Sequence, residues 1–240
     1  IAYYFSGGMI EDSLNTLTSH WGQYTPDNHQ AIFRSDVKLI NPTFILTADT
    51  LGYNTESYQS DLVGPTTILY EEETTILSTN GWYNTKSELS MLLDRSQVIH
   101  VDGMTLTGDT IYYDKAQGYG KCIGNIESVD STHSMTLYGH KAEMWESNNR
   151  AYVTDSAMLL DWSDSTTYTY MHADSLWTEE IPYQIYTLAE RDSILIDSIL
   201  TAQQPDTIWS DTTYQQLRAY RNVRIYRSDL QAVCDSARYH

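Results

Sequence analysis

The sequence predicts an all-β fold made by stacking one strand–turn–strand unit along an axis. Three observations carry that expectation. A segment ending in tyrosine recurs at Tyr53, Tyr83 and Tyr113, two steps of 30 residues. Apolar and polar residues alternate in many of the segments that follow, which is the period of a strand with one buried face. The residue choice also suits a half-exposed pleated surface, with 20 Tyr against 3 Phe and many Thr.

The first strand of the unit is read from segments that align without gaps. Leu46-Thr47-Ala48-Asp49-Thr50-Leu51-Gly52-Tyr53-Asn54 matches Leu106-Thr107-Gly108-Asp109-Thr110-Ile111-Tyr112-Tyr113-Asp114. Ile76 to Asn84 lies between them, and Ser19 to Tyr24 echoes it upstream. Downstream, Leu137 to Met144, Met171 to Trp177 and Cys234 to Tyr239 continue the series. The second strand is supplied by Asp36–Leu39, Val98–Val101, Asn125–Val129, Ala157–Leu159 and Asn222–Ile225. Gly118, Gly120, Gly124, Asn148 and Asn149 stand where tight turns are needed.

A two-stranded unit cannot bury its apolar face alone, so neighbouring units must share a core. Thirty-residue units with polar turns favour antiparallel layers folded on each other, an extended jelly roll, over the shorter coils of a β-helix. The whole of residues 1–240 is expected to form one continuous array, cut at both ends, with the opening at Ile1 falling inside a repeat. The interval from Trp177 to Tyr226 is too long for one unit. Residues 178–215, rich in Asp, Ser, Thr and Gln, are expected to form an inserted polar loop.

Charge excludes one class of partner. The chain carries 32 acidic residues against 14 basic ones, a formal net charge of -18. That balance opposes attraction to phosphate backbones, so no nucleic-acid partner is expected. The two cysteines, Cys122 and Cys234, have no zinc-type spacing. No apolar run is long enough to be a membrane-spanning helix.

The pattern Thr-Leu-x-Gly/Ala-Asp-Thr-Leu-x-Tyr-Asn/Asp, followed by a Gly-Asn-Val-like strand, resembles the OstA/LptA-like family. Ala48-Asp49-Thr50-Leu51 and Ala173-Asp174-Ser175-Leu176 match its Ala-Asp motif best, and Gly108-Asp109-Thr110-Ile111 is close. Near the end, Asn222-Val223-Arg224-Ile225-Tyr226 and Cys234-Asp235-Ser236 resemble the large OstA-like proteins of Bacteroidetes. Thr79 and His140 depart from the motif where it has Asp. The resemblance implies a periplasmic, exported protein of lipopolysaccharide transport, whose signal peptide lies outside these residues. It implies two splayed antiparallel sheets whose apolar lumen takes the acyl chains of lipid A. It also implies end-to-end β-augmentation with other proteins of the transport bridge, or with further copies of the chain.

Candidate site residues follow from register. The lipid-binding positions expected on the first strand are Phe44, Leu46, Leu51, Leu106, Ile111 and Leu137, and on the second Val37, Leu39, Val98, Ile126, Val223 and Ile225. Packing of the two layers alone would use the same residues. Arg218, Arg221, Arg224 and Arg227 form the one basic cluster and are candidates for head-group contact. Arg224 has the parity opposite to Val223 and Ile225, which points it outward.

The recurrent Asp49, Asp109, Asp174 and Asp235 read as local hydrogen-bonding residues, because a calcium ladder needs a denser ligand set. The seven histidines show no metal-ligand spacing, and no nucleophile elbow or phosphate-cradling loop is present. No catalytic set, metal or cofactor is expected. Three functions are therefore compared: a lipid carrier, a structural or protein-binding repeat module, and a glycan-active β-helix enzyme.

Overall fold

The computed structural model describes residues 1–11, 13–188 and 207–239. Four short strands come first: β1 (Ala2–Tyr4), β2 (Gly8–Glu11), β3 (Thr16–Ser19) and β4 (Trp21–Thr25). Long strands follow: β5 (Gln30–Ile40), β6 (Phe44–Asn54), β7 (Gln59–Tyr70), β8 (Thr74–Asn84), β9 (Leu89–His100) and β10 (Met104–Asp114). The series ends with β11 (Tyr119–Asp130), β12 (Met135–Trp145), β13 (Arg150–Asp161), β14 (Thr169–Leu188), β15 (Thr207–Arg227) and β16 (Leu230–Tyr239). From β5 onward each strand pairs antiparallel with the next, in one sheet of 16 strands among the described residues. The leading edge is split, with β4 on the first part of β5 and β3 on its last part. The sheet is not closed into a barrel.

The all-β, antiparallel expectation is met, and the two layers are the two halves of this one sheet. Every strand pair from β5 to β16 shifts register once, near its middle except in the long β14–β15 pair, where the shift lies near the start of β14. At that line the odd-numbered strands carry left-handed residues: Ser35–Asp36, Gly64, Asp94–Arg95, Gly124–Asn125, Asp155–Ser156 and Arg221–Asn222. Bulges of this kind bend a strand. Repeated in register, they fold the sheet along a crease. The inner side of the crease carries small residues, including Ala48, Ser96, Gly108, Gly139, Ala157 and Ala173. A Cβ on Gly139 would lie 2.2 Å from Val153 Cγ1, so nothing larger fits there without movement.

The outer side of the crease explains the repeated aspartates. Asn125 Nδ2 donates to Asp109 at 2.7 Å, and the Arg95 guanidinium lies 3.5 Å from the same carboxylate. Asn222 Nδ2 donates to Asp174 at 3.0 Å, with Arg221 at 3.6 Å. In β8 the roles reverse, and Asn80 donates to Asp94 at 3.0 Å. Each pair pins a left-handed bulge to the adjacent strand. Asp49 differs, since its carboxylate takes only the neighbouring Thr50 hydroxyl at 3.2 Å. Replacing Asp109 by Ala is therefore expected to cost about 0.5–1.5 kcal/mol. Asp49→Ala should stay within about 0.5 kcal/mol of the parent, and urea denaturation of both variants checks the contrast.

The Tyr-Asn/Asp pairs also acquire a physical role. Asn54 Oδ1 accepts from the amides of Glu56 and Ser57, and Asn84 Oδ1 from those of Lys86 and Ser87. Asp114 does the same for Gln117. Successive turns then bond to one another: Thr55 N–H donates to His29, Thr85 to Tyr58, Lys115 to Glu88 and Glu146 to Gly118. The thirty-residue period is the rise from one turn of this ladder to the next.

Residues 178–215 depart from the expected polar loop. Residues 178–188 belong to β14 and 207–215 to β15, which pair continuously from Tyr170↔Tyr226 to Leu188↔Thr207 apart from the shift at the crease. Residues 189–206, which include the Asp-Ser-Ile-Leu doublet, lie outside the described residues. The Asp, Ser and Gln content suggested a loop. Interspersed Ile, Tyr and Thr suit a ribbon, and in a hairpin each strand supplies the other's backbone partners.

Candidate functional site

The fold brings the predicted apolar positions together in rows that cross the sheet. Leu39, Leu46, Ile68, Ile76, Val98 and Leu106 pair in sequence from β5 to β10. Ser128 interrupts the row on β11, and Leu137, Leu159, Met171 and Ile225 resume it on β12 to β15. Beyond the crease a second inner row contains Leu51, Leu62, Leu92, Ile111, Val153 and Leu176. The rows face each other across the fold.

Of the twelve expected lining residues, Val37, Leu46, Leu51, Ile111, Ile126 and Val223 are buried. Leu39, Phe44, Val98 and Leu106 are half-buried against the first apolar cluster, and Leu137 and Ile225 against the second. Ala142 touches both clusters, which meet where β11 and β12 carry Gly120, Gly124 and Gly139. The layers are in contact: Leu51 is 1 % exposed and Val223 0 %.

The four arginines do not converge on this face. Arg218 pairs with Glu179 at 2.5 Å, Arg221 with Asp174 at 3.6 Å and Arg227 with Asp229 at 2.6 Å. Arg224 is exposed, opposite His172 and Val233, with Val223 buried and Ile225 half-buried beside it. It therefore points outward, as its parity predicts. Arg218 also has outer parity, next to Ala219 at 0 % exposure, and Arg221 lies on the crease. Only Arg227 shares the parity of Ile225. An amphiphile held by the inner rows could not reach Arg218 or Arg224 without passing round the sheet.

The alignment of tyrosines concealed where their rings lie. Tyr53, Tyr83 and Tyr113 share the inner parity of Leu51, Gly81 and Ile111, one row nearer the turns, and alternate with Ser60, Ser90 and Gly120 on intervening strands. Burial raises the Tyr83 hydroxyl pKa, helped by the Glu88 charge. Burial also raises that of Tyr113, together with its 2.7 Å hydrogen bond to Glu146. From the opposite layer, Tyr70 at the end of β7 meets Lys115 in the β10–β11 turn, with Nζ 5.3 Å from the ring centroid. The hydrogen bond with Tyr70 raises the Lys115 pKa against the effect of burial. The residue spacing shows the tyrosines, but only the crease shows that they face inward at an edge.

The outer face carries a separate cross-strand aromatic row. Tyr112, Tyr119, Trp145, Tyr152 and Trp177 succeed one another with centroids 4.7–6.3 Å apart. The Trp145–Tyr152 and Tyr152–Trp177 pairs are stacked and the other two are tilted, and such cross-strand contacts stabilise the sheet. Burial opposes ionisation of Glu143 beneath them, but hydrogen bonds with Lys141, Tyr152 and Tyr119 outweigh it and lower its pKa.

Cys122 lies in the inner row and Cys234 is exposed on β16. Burial first, then the Asp109 charge, pushes the Cys122 thiol up to about 11. A thiol-specific reagent at about pH 8 should modify Cys234 in the folded chain and both cysteines only after unfolding. Absorbance titration of released thiolate counts them.

The family model described as OstA-like protein matches residues 1–49. Among solved structures, the chain is similar to LptH from Pseudomonas aeruginosa, described as the LptA homologous periplasmic component of the lipopolysaccharide transport device. That match has 18% identity and a TM-score of 0.41, covering 52% of this chain and 94% of the other. No protein of curated function matches the chain. Over residues 1–49 the chain is similar to the OstA-like family.

Proposed function

We propose that this chain is a non-enzymatic periplasmic lipopolysaccharide-binding and transport protein that holds lipid A acyl chains between the two layers of its folded sheet. The observation that carries the proposal is the inner apolar row from Leu39 to Leu106 and from Leu137 to Ile225. Strands spaced about 4.8 Å apart make such a row a track long enough for extended acyl chains. Burying a chain stabilises the complex by about 0.8 kcal/mol per methylene, less the cost of parting the layers. No covalent step is needed. The outer edge of β16 and the short leading strands β1 and β2 are the surfaces for end-to-end pairing with other bridge proteins or a second copy.

Binding of fluorescently labelled lipopolysaccharide to the purified chain tests the reading. Saturable binding is expected, weakened at least about tenfold by Leu106→Asp, because a carboxylate in the half-buried apolar row must be desolvated when an acyl chain covers it. No saturable binding to the folded chain would leave the alternative, a structural or protein-binding repeat module. One observation favours that alternative: Val37 and Leu51 are each 1 % exposed, so the inner face is already closely packed at those positions.

A further inference from the structure

Tyr70 and Lys115 join opposite margins of the folded sheet. Tyr70 is paired with Thr74 at the first end of β8, and Lys115 follows Asp114, which stands level with Asn84 at its other end. An 11-residue strand separates those ends by roughly 35 Å when laid flat. The Tyr70 ring and the Lys115 ammonium are nevertheless 5.3 Å apart. The crease has therefore brought opposite margins into contact, and this pair bridges them. Inside the bridge lie Tyr83 and Tyr113 and then the apolar rows. On the turn side, Glu88 is 3.8 Å from Lys115.

We propose that Tyr70 and Lys115 form a gate at which the acyl chains of an amphiphile enter the space between the layers. The proposal rests on the carrier reading and assigns it an entry site. The character of the contact suits a gate. Lys115 is 40% exposed and Glu88 44%, so water can take over their polar interactions as the margins part. The crease side, by contrast, is fixed by the Asp109–Asn125 and Asp174–Asn222 bonds and by backbone pairing. Separation should start at the margin and hinge on the crease. The inward tyrosines then present an apolar body to the chains and a hydroxyl to the head group, the arrangement that places Tyr at lipid–water boundaries.

The test ties the margins together reversibly. In a Cys234→Ser background, where buried Cys122 remains unreactive, Tyr70→Cys and Lys115→Cys are joined by a cleavable bis-thiol linker. Uptake of fluorescent lipopolysaccharide is followed before linking, after linking and after reduction. Linking is expected to slow uptake at least about tenfold, and reduction to restore it. Tyr70→Phe and Lys115→Ala, which loosen the contact without a linker, should take up the lipid faster than the parent. Uptake that is unchanged by the linker overturns the gate and leaves the carrier reading standing. No uptake by folded, unlinked protein overturns the carrier reading, and the gate falls with it.

Discussion

Leu51→Ala is expected to destabilise the chain by about 2–5 kcal/mol, enough to lower its denaturation midpoint substantially. Leu51 is 1 % exposed, sits just past the crease in β6 and stands between Phe33 on β5 and Leu62 on β7. The positions on both sides are held by backbone ladders, so the layers cannot close fully over the missing methyls. The cavity term is then added to the lost transfer energy. Ile45 on the same strand is a natural control. It lies on the outer face at 38% exposure, and Ile45→Ala should cost well under half as much. Chemical denaturation with coincident fluorescence and circular dichroism curves measures both. Equal costs at the two positions would contradict the assignment of inner and outer faces.

The opposite kind of change should be as damaging at the crease. Ala173→Leu is expected to destabilise by about 1–3 kcal/mol through overpacking. Ala173 is 0 % exposed and pairs directly with Ala157, also 0 % exposed, where the layers come closest. A larger side chain there must push the layers apart or straighten the bulge beside it. The same substitution at Ala151, half-buried and nearer the turns, has more room and should be milder. Similar losses at both sites would show that small residues at the crease answer no packing need.

The strands were legible because a sheet with one packed face writes itself as alternation, and because stacked turns need the same Asn or Asp at the same step. Tyr53, Tyr83 and Tyr113 marked the period correctly, each followed by the residue that sets the turn. The aspartates at 109 and 174 were legible as hydrogen-bonding groups, although their partners are side chains on the next strand and not local backbone. The crease itself was hidden. Ser35–Asp36, Asp94–Arg95 and Arg221–Asn222 look like ordinary polar residues within strands, yet all have left-handed backbones. Without the crease, a single sheet and two sheets produce the same alternation.

The approach of the two margins of the folded sheet was hidden for the same reason. Tyr70 and Lys115 are 45 positions apart in sequence, and no strand pairing links them. Only folding the sheet brings them together. The arginine cluster misled differently: proximity in sequence placed four positive charges within ten residues. Alternation and the bulge then sent them to different faces, with three paired to carboxylates. The long hairpin of β14 and β15 was misread because composition outweighed its Ile, Tyr and Thr content.

The central claim is that lipid contacts the inner face of the fold, and parity gives its most direct test. Photo-crosslinking residues placed singly at Leu46, Leu106 and Leu137 probe the inner row. The same probe at Thr47, Thr107 and Tyr138, one residue further along each strand, probes the outer face. In cells making lipopolysaccharide, adducts are expected at the three inner positions and at none of the outer ones. Adducts at neither set from folded protein, or equal yields from both, would contradict the claim.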